Sequence, residues 1–266
     1  MNIVIVIPVF RPDGRLKMCI ERLLRQSVMP DRILLNVLYE NPVDREIPEV
    51  YMDERIEVRY TPREEYDRAG SRDTILRELD SDIVIFMVQT AIPQNRYLVE
   101  KLTEPFKEER TAVVYGRHMT DDECSPIECC VRQFNYPPKG MTKSLEDAGK
   151  LGIRTFFNSN VCAAYKREIY MELGGFIRKT IFNEDMIFAA KAMKNGYAVC
   201  YAADARVIHS HNYTAVEQFH RNFDLAVSQA DHPDVFSGIR SEGEGIRMVK
   251  DTVRWLVKTG HTYLVP

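Results

Sequence analysis

Short, almost entirely apolar runs alternate with amphipathic stretches through the first 116 residues of this chain. The runs at residues 3–7, 33–38 and 83–87 consist of Ile, Leu, Val, Phe and Met with hardly any polar interruption. Such runs are typical of parallel strands that are covered on both faces. Residues 67–79 carry apolar side chains at helical spacing. Strands that alternate with helices predict an α/β fold in which helices flank a central, mainly parallel sheet.

The second half of the chain has a different pattern. Residues 121–152 are polar and rich in Pro and Cys, which predicts a long excursion from the sheet. A helix is predicted over residues 184–194, because Asn195-Gly196 forms a typical helix end. Strands are predicted at residues 198–202 and 205–208, followed by an amphipathic region at residues 215–229.

The whole chain is predicted to form one domain. Its 266 residues contain no internal repeat, low-complexity tract or clear linker. A chain of this length can bury one large core and is short for two independent domains. The change of pattern divides the predicted domain into residues 1–116 and residues 117–266.

Charge and cysteine usage limit the classes of partner and compartment. A net charge of −3 argues against a protein that binds nucleic acid through a basic face. A nucleotide ligand stays compatible, because a phosphate pocket needs only a few local cations. The six cysteines are scattered without a CxxC pair, which predicts a reduced, cytoplasmic protein. The apolar run at residues 3–7 has no basic leader, so it is predicted to be a strand.

Three segments follow predicted strands and are the first candidates for a ligand site. They are Pro8-Val9-Phe10-Arg11, Tyr39-Glu40-Asn41 and Val88-Gln89-Thr90. Ligands of open α/β sheets bind at the carboxyl ends of the strands. No GxGxxG or GxxxxGK[ST] motif is present, which argues against NAD enzymes and P-loop NTPases.

Asn183-Glu184-Asp185 opens the predicted helix with two carboxylates. At this position the helix dipole favours the ionised form of an acidic side chain. The pair is compatible with routine helix capping. It is equally compatible with a general base that removes a proton from an attacking hydroxyl, since the flanking residues are apolar.

His209 and His211 share one face if their segment is extended, because side chains alternate along a strand. They are candidates for contact with a metal ion or a phosphate. Arg178 and Lys179 precede the acidic pair and could balance phosphate charge, although solvated loop cations have the same pattern.

Together these motifs resemble the family-two glycosyltransferases of the GT-A fold, and within them the bacterial rhamnosyltransferase-like branch. The matching segments are residues 3–10, 66–73, 84–93 and 158–211. The last segment is the most specific, since it contains Phe182-Asn183-Glu184-Asp185 and His209-Ser210-His211.

The resemblance implies an inverting enzyme that moves a sugar, such as L-rhamnose, from a dTDP- or UDP-linked donor. The implied acceptor is a polysaccharide, glycolipid or lipid-linked saccharide. Residues 1–116 would form the nucleotide-sugar-binding half, and residues 117–266 the acceptor-side half with the C-terminal helices. Members of the branch carry membrane-associating segments, which implies peripheral association with the inner face of the cell membrane.

The resemblance also implies residue roles on the donor side. Pro8, Phe10 and Arg11 would frame the base and ribose, and Glu40 would lie near the ribose. The remaining implied donor contacts are Asp67 with the pyrimidine edge, Arg72 with the diphosphate, and Gln89 and Thr90 at the end of the strand.

On the acceptor side, the resemblance implies that Asp185 is the catalytic base and that Glu184 shapes the acceptor pocket. His209 or His211 would lie near the diphosphate or its metal ion. The acceptor hydroxyl would attack the anomeric carbon in a single displacement.

The sequence departs from the family at the metal-binding motif. The family implies Mg²⁺ or Mn²⁺ on the last carboxylate of a DxD-type motif, where this chain has Val88-Gln89-Thr90. A threonine hydroxyl is a weak ligand for a hard divalent cation. The diphosphate would then depend on Arg72, Arg178 or Lys179, or on a metal held mainly by phosphate. An alternative is a nucleotide-sugar or glycan-binding module that has lost turnover.

Overall fold

A mixed nine-stranded β-sheet forms the centre of the computed structural model, which describes residues 1–45, 51, 53–239 and 242–265. Four strands at one side, in the order β3-β2-β1-β4, are mutually parallel. In chain order the strands are β1 (Ile3–Val9), β2 (Arg32–Tyr39), β3 (Ile56–Pro62), β4 (Ile83–Met87), β5 (Ile92–Pro93), β6 (Thr111–Met119), β7 (Met141–Lys143), β8 (Cys162–Lys166) and β9 (Ala198–Ile208).

The sheet continues from β4 through β8, β6 and β9 to β5. Strand β8 is antiparallel to both of its neighbours, whereas β6 and β9 are parallel to each other. The short β7 pairs with β9 in antiparallel fashion. The predicted α/β fold with a mainly parallel central sheet is therefore confirmed.

Helices cover both faces of the sheet, as parallel strands require. The α-helices are α1 (Gly14–Leu23), α2 (Arg68–Glu78), α3 (Leu98–Thr103), α4 (Pro126–Asn135), α5 (Ala148–Leu151), α6 (Arg167–Glu172), α7 (Glu184–Lys194), α8 (Ala215–Ala230), α9 (Pro233–Phe236) and α10 (Glu242–Lys258). Short 3-10 turns lie at Pro42–Arg45, Arg63–Glu65, Glu104–Lys107, Leu145–Asp147, Gly152–Phe156 and Thr262–Leu264. Among the described residues, no helix combines the length and the apolar character needed to cross a membrane.

The core consists of two apolar layers, one on each face of the sheet. Val4 and Val6 of β1 belong to one layer, and Ile3, Ile5 and Ile7 belong to the other. This alternation follows from the period of two along a strand. It explains why β1 is apolar at every position from residue 3 to residue 7.

The second half contains two departures from the predicted elements. The polar excursion at residues 121–152 carries α4 and β7, which the composition alone does not predict. The two strands predicted at 198–202 and 205–208 form one strand, β9, whose pairing with β6 shifts between Gly116 and Arg117. A β-bulge lets one strand continue past a local irregularity that looks like a break in the sequence.

Candidate active site

The carboxyl ends of β1 and β4 are tied together by one side chain. The Gln89 amide accepts a hydrogen bond from the Phe10 backbone N–H at 2.9 Å and donates one to the Phe10 carbonyl at 3.0 Å. Both polar atoms of the Gln89 amide, which is predicted to contact the donor, thus bind the backbone of Phe10. Gln89 therefore positions the backbone of Phe10 at the strand edge.

Phe10 is the centre of a group of charged side chains at this edge. The Arg11 guanidinium lies 4.9 Å and the Arg63 guanidinium 5.5 Å from the Phe10 ring centroid. Arg11 also forms an exposed ion pair with Glu40 at 2.7 Å and adopts a φ of 44°, a region that residues other than glycine seldom use. The structure thus brings Phe10, Arg11 and Glu40 together, and Pro8 lies two residues before Phe10 within β1.

Asp67 caps the N-terminus of α2. Its Oδ2 accepts a hydrogen bond from the Gly70 N–H at 2.9 Å and lies 3.4 Å from the Lys179 N–H. The carboxylate thus holds the loop that carries Lys179 against α2. The predicted contact of Asp67 with the pyrimidine would therefore have to use Oδ1 or a remaining lone pair of Oδ2.

The Asp185 carboxylate is fixed at the start of α7. Its Oδ2 accepts a hydrogen bond from the Asn160 N–H at 3.0 Å, and its Oδ1 accepts one from the Met186 N–H at 2.8 Å. Asn183, just before the helix, has a φ of 67°, and asparagine tolerates this left-handed conformation better than most residues. Each Asp185 oxygen keeps a lone pair for a further proton or hydroxyl group.

Glu184 forms a buried ion pair that the sequence analysis does not predict. Its Oε1 lies 2.7 Å from Arg72 Nη1 and 3.2 Å from the Asn160 amide nitrogen. The side chains of Arg72 and Glu184 are only 7% and 5% exposed. In this structure Arg72 and Glu184 therefore bind each other, while the predicted contacts of Glu184 with the acceptor and of Arg72 with the diphosphate stay predictions.

Burial dominates the ionisation of Asp185. Desolvation, followed by the charge of Glu184, raises the pKa of Asp185 to about 7. The bonds from the Asn160 and Met186 N–H groups oppose this shift and are weaker. The position at the start of the helix predicts that the ionised form of Asp185 is favoured, but in the folded protein burial favours the neutral form. A carboxylate with a pKa near neutral pH is suited to general-base catalysis.

Thr90, His209 and His211 form a group of side chains in mutual contact. The Thr90 hydroxyl lies 3.2 Å from His209 Nδ1, and the Nε2 atoms of the two histidines lie 3.1 Å apart. Burial lowers the pKa of His209 to about 3 and that of His211 to about 4. Both imidazoles are therefore neutral at neutral pH.

The residues present do not fit a site for Mg²⁺ or Mn²⁺. Thr90 contacts Nδ1 of His209, which is the nitrogen opposite the one that faces His211. Within the described part of the chain, no three His, Cys, Asp or Glu side chains are grouped as metal ligands. Hard divalent cations prefer carboxylate, carbonyl and water oxygens. Two neutral imidazoles and one hydroxyl do not supply that set.

Three arginines that the sequence analysis does not select lie around His211. After burial, the charges of Arg132, Arg221 and Arg15 are the causes that lower its pKa. The Arg221 guanidinium lies 4.8 Å from the ring centroid of Tyr213, which in turn stacks on His211. These cations come from α4, α8 and α1, so no local motif connects them.

The other predicted cations have different partners. Arg178 forms an ion pair with the buried Asp73 at 3.1 Å. Lys179 has a φ of 59°, and its backbone N–H faces Asp67. The guanidinium of Arg178 therefore anchors the loop before α7 to α2.

His118 is a further buried residue beside this group. Its Nδ1 lies 3.2 Å from Arg132 Nη1, and its ring is 5.8 Å from the His209 ring. Because arginine is only a donor, Nδ1 accepts and the proton of neutral His118 is on Nε2. His118 also stacks on Tyr136 at 4.0 Å. His118 therefore lies between Arg132 and His209.

The comparisons with known proteins identify the family. Residues 2–230 match the family model described as glycosyltransferase like family 2. The chain is 35% identical over 262 residues to the O-antigen chain rhamnosyltransferase RfbN of Salmonella typhimurium, covering 97% of this chain and 82% of that protein. It is also 35% identical over 238 residues to the O-antigen chain rhamnosyltransferase WbaN of Salmonella anatum, covering 88% and 74% respectively.

Solved structures show the same fold at low sequence identity. The mannosyltransferase PcManGT from Pyrobaculum calidifontis, in complex with GDP-Man and Mn²⁺, is similar with a TM-score of 0.65 and 13% identity over 97% of this chain and 75% of that one. S. aureus TarS 1–349 in complex with UDP-GlcNAc is similar with a TM-score of 0.59 and 12% identity over 96% and 72%. The predicted GT-A type fold is thereby confirmed. With the family match over most of its length, the chain belongs to the family-two glycosyltransferases, in the rhamnosyltransferase-like branch that its motifs predict.

Proposed function

We propose that this glycosyltransferase inverts the anomeric configuration while moving L-rhamnose from dTDP-rhamnose to a saccharide of a growing surface polysaccharide. The observation that carries the proposal is the half-buried Asp185, whose carboxylate accepts hydrogen bonds from two backbone N–H groups and has a pKa raised to about 7. The identity to two O-antigen chain rhamnosyltransferases supports the choice of donor sugar.

In the proposed reaction, Asp185 removes the proton of the acceptor hydroxyl. The hydroxyl oxygen forms a bond to the anomeric carbon while the bond from that carbon to the diphosphate breaks. The nucleoside diphosphate leaves with the electron pair of that bond. Glu184 and Arg72 touch none of the reacting atoms in this scheme, and they position Asp185 through Asn160 and the start of α7.

We propose that Arg132, Arg221 and Arg15 stabilise the charge of the leaving diphosphate, with Thr90 and His211 beside it. Fixed positive groups that face developing negative charge are among the strongest contributions to catalysis. Phe10 and Arg11, with Glu40, would frame the base and ribose at the end of β1. In this arrangement residues 1–116 supply the donor half and residues 117–266 the acceptor half of one domain.

The proposed function includes a location at the membrane. The relatives RfbN and WbaN are named for the O-antigen chain. We propose that this chain acts on a lipid-linked saccharide at the cytoplasmic face of the cell membrane, as a peripheral protein. Sedimentation with membranes that carry such an acceptor, compared with bare membranes, tests this part separately.

A thermal-shift screen of nucleotide sugars tests the donor. We expect dTDP-rhamnose to stabilise the protein more than UDP-GlcNAc or GDP-mannose. A ligand that binds only the folded state adds about 2.7 kcal/mol at a hundredfold excess over its Kd. Equal stabilisation by every nucleotide sugar would contradict the donor assignment. Tight donor binding without transfer to any saccharide would favour the binding-module alternative.

Removal of divalent metal should have little effect on donor binding. In isothermal titration, wild-type affinity for the donor should be the same in EDTA and in Mn²⁺, because Thr90 supplies no carboxylate. Thr90→Asp should introduce Mn²⁺-dependent binding, since it adds an anionic oxygen beside His209. Thr90→Asn, which adds a neutral amide of similar size, is the control. Strong loss of wild-type donor binding in EDTA would refute the metal-independent site.

A further inference from the structure

A cavity of about 220 Å³ lies between β7, the Gly152–Phe156 turn and the first turns of α10. We call it the β7–α10 cavity. Within the part of the chain that the structure describes, the residues that line it are separate from those of the candidate active site. The two regions are neighbours through Tyr136, whose ring contacts His118 on one side and Phe157 and Tyr201 of the cavity wall on the other.

The lining of the β7–α10 cavity has a large excess of positive charge. Among the described residues that line it, the charged groups are four cations, Lys143, Lys150, Arg154 and Arg247, and one carboxylate, Glu244. That carboxylate is shared, because Oε2 lies 2.7 Å from Arg247 and 3.5 Å from Arg154. The net charge of these described groups is therefore +3 when all five are ionised.

Arg154 and Arg247 are held side by side. Each guanidinium carbon lies 5.0 Å from the centroid of the Phe134 ring. The Arg154 group also donates a hydrogen bond to the Phe134 carbonyl at 3.2 Å. Two planar guanidinium groups fixed in this way present several donors to one anion.

Lys143 forms the buried end of the cavity and is only 2% exposed. Its Nζ donates to the Phe157 carbonyl at 2.6 Å, the Arg154 carbonyl at 3.1 Å and the Tyr115 hydroxyl at 3.2 Å. Among the described residues, no carboxylate is within ion-pair distance of this amine. Burial, followed by the charge of Arg154, lowers the pKa of Lys143 to about 7, while Cys200 and Asp147 act weakly in the other direction.

We propose that the β7–α10 cavity binds a phosphate or diphosphate group, held by Arg154, Arg247 and Lys150 with Lys143 behind them. A monocarboxylate would neutralise only part of the excess charge, whereas a phosphate group carries more charge and more acceptor oxygens. The group could belong to a free phosphate compound or to a lipid. The exposed apolar residues Ile246, Val249 and Val257 on the same helix are compatible with a lipid source. The binding site itself does not depend on the proposed rhamnosyl transfer.

Isothermal titration of the full chain with inorganic pyrophosphate tests the site. Arg247→Gln should weaken binding about tenfold, since it removes a charge-assisted contact. Glu244→Gln should tighten binding, because it releases the two arginines from a competing carboxylate. Arg254→Gln is the matched control, since Arg254 lies on the same helix and pairs with an acid three residues earlier, as Arg247 does. Equal affinities of Arg247→Gln and Arg254→Gln would overturn the proposal.

A second variant separates this site from the active site. His211→Ala should leave pyrophosphate binding at the β7–α10 cavity intact, and complete loss of binding in that variant would overturn the proposal. Failure of rhamnosyl transfer would leave this result unchanged, so the two proposals can fail separately.

The protonation of Lys143 provides a further readout. At about pH 8, binding of sulfate, which carries no titratable proton at this pH, should take up protons at Lys143, which titration in Tris and in HEPES detects as a difference in heat. Lys143→Met should abolish the uptake; if that variant does not fold, Arg247→Gln must reduce it in proportion to binding. Absence of uptake in the wild type would contradict the role of Lys143.

Vesicles distinguish the two sources of phosphate. The site would be assigned to a lipid phosphate if the protein floats with vesicles that contain phosphatidic acid but not with vesicles of phosphatidylcholine alone. Arg247→Gln should then abolish this flotation. Binding of pyrophosphate without flotation would assign it to a free phosphate compound.

Discussion

Replacement of Asp185 by asparagine should lower the rate of sugar transfer by about 10²- to 10⁴-fold, the usual contribution of a general base. Donor affinity should stay close to wild type, because the amide keeps the size of the carboxylate and one of its acceptor atoms. Initial rates and donor titrations on the same preparation measure both effects. Loss of donor binding together with activity would show that Asp185 acts on the nucleotide side. Asp204→Asn, at an exposed position of β9, is the control.

The pKa of Asp185 also sets the pH dependence of transfer. A base with a pKa of about 7 is protonated below that value, so kcat/KM should fall as the pH decreases through about 7. The stability effect has the opposite sign. Because the folded-state pKa lies above the ordinary value of 3.8, Asp185 makes the fold lose stability as the pH rises from about 4 to about 7, and protonation restores it as the pH falls. The Tm of wild type should therefore fall relative to that of Asp185→Asn as the pH rises through this range.

Replacement of Glu184 by alanine should lower the free energy of unfolding by about 3–5 kcal/mol, because it leaves the Arg72 charge buried without a partner. Urea unfolding measures the loss. Glu78→Ala, which breaks the exposed pair with Arg59, should cost less than about 1 kcal/mol. A similar small cost at Glu184 would contradict the buried pair.

The double variant Arg72→Met with Glu184→Leu separates positioning from charge. It should regain much of the stability lost in Glu184→Ala, since neither charge is then buried alone. Transfer should remain impaired in kcat with little change in donor KM, because Asp185 loses its support at the start of α7. A large rise in donor KM would instead support the predicted contact of Arg72 with the diphosphate.

The local pattern of the sequence predicts much of the fold. Helix α7 begins and ends at the predicted residues 184 and 194, since its acidic start and Asn-Gly end are local signals. The three strand-end segments also follow from local apolar runs and one general rule of parallel sheets. Strand β8 and helix α4 are less visible, because the former is a short apolar run and the latter lies in a polar excursion.

The α/β class, the family motifs and the candidate base at Asp185 can be read from the sequence, since each depends on neighbours along the chain. Which charged and polar side chains contact each other is visible only in the folded protein. Arg72 and Glu184 are 112 positions apart, and Thr90 and His209 are 119 apart. Long-range packing and the loss of water place Arg72 in a buried ion pair with Glu184 and raise the pKa of Asp185. Periodicity records which side chains are buried, but it does not record which partner each one meets there.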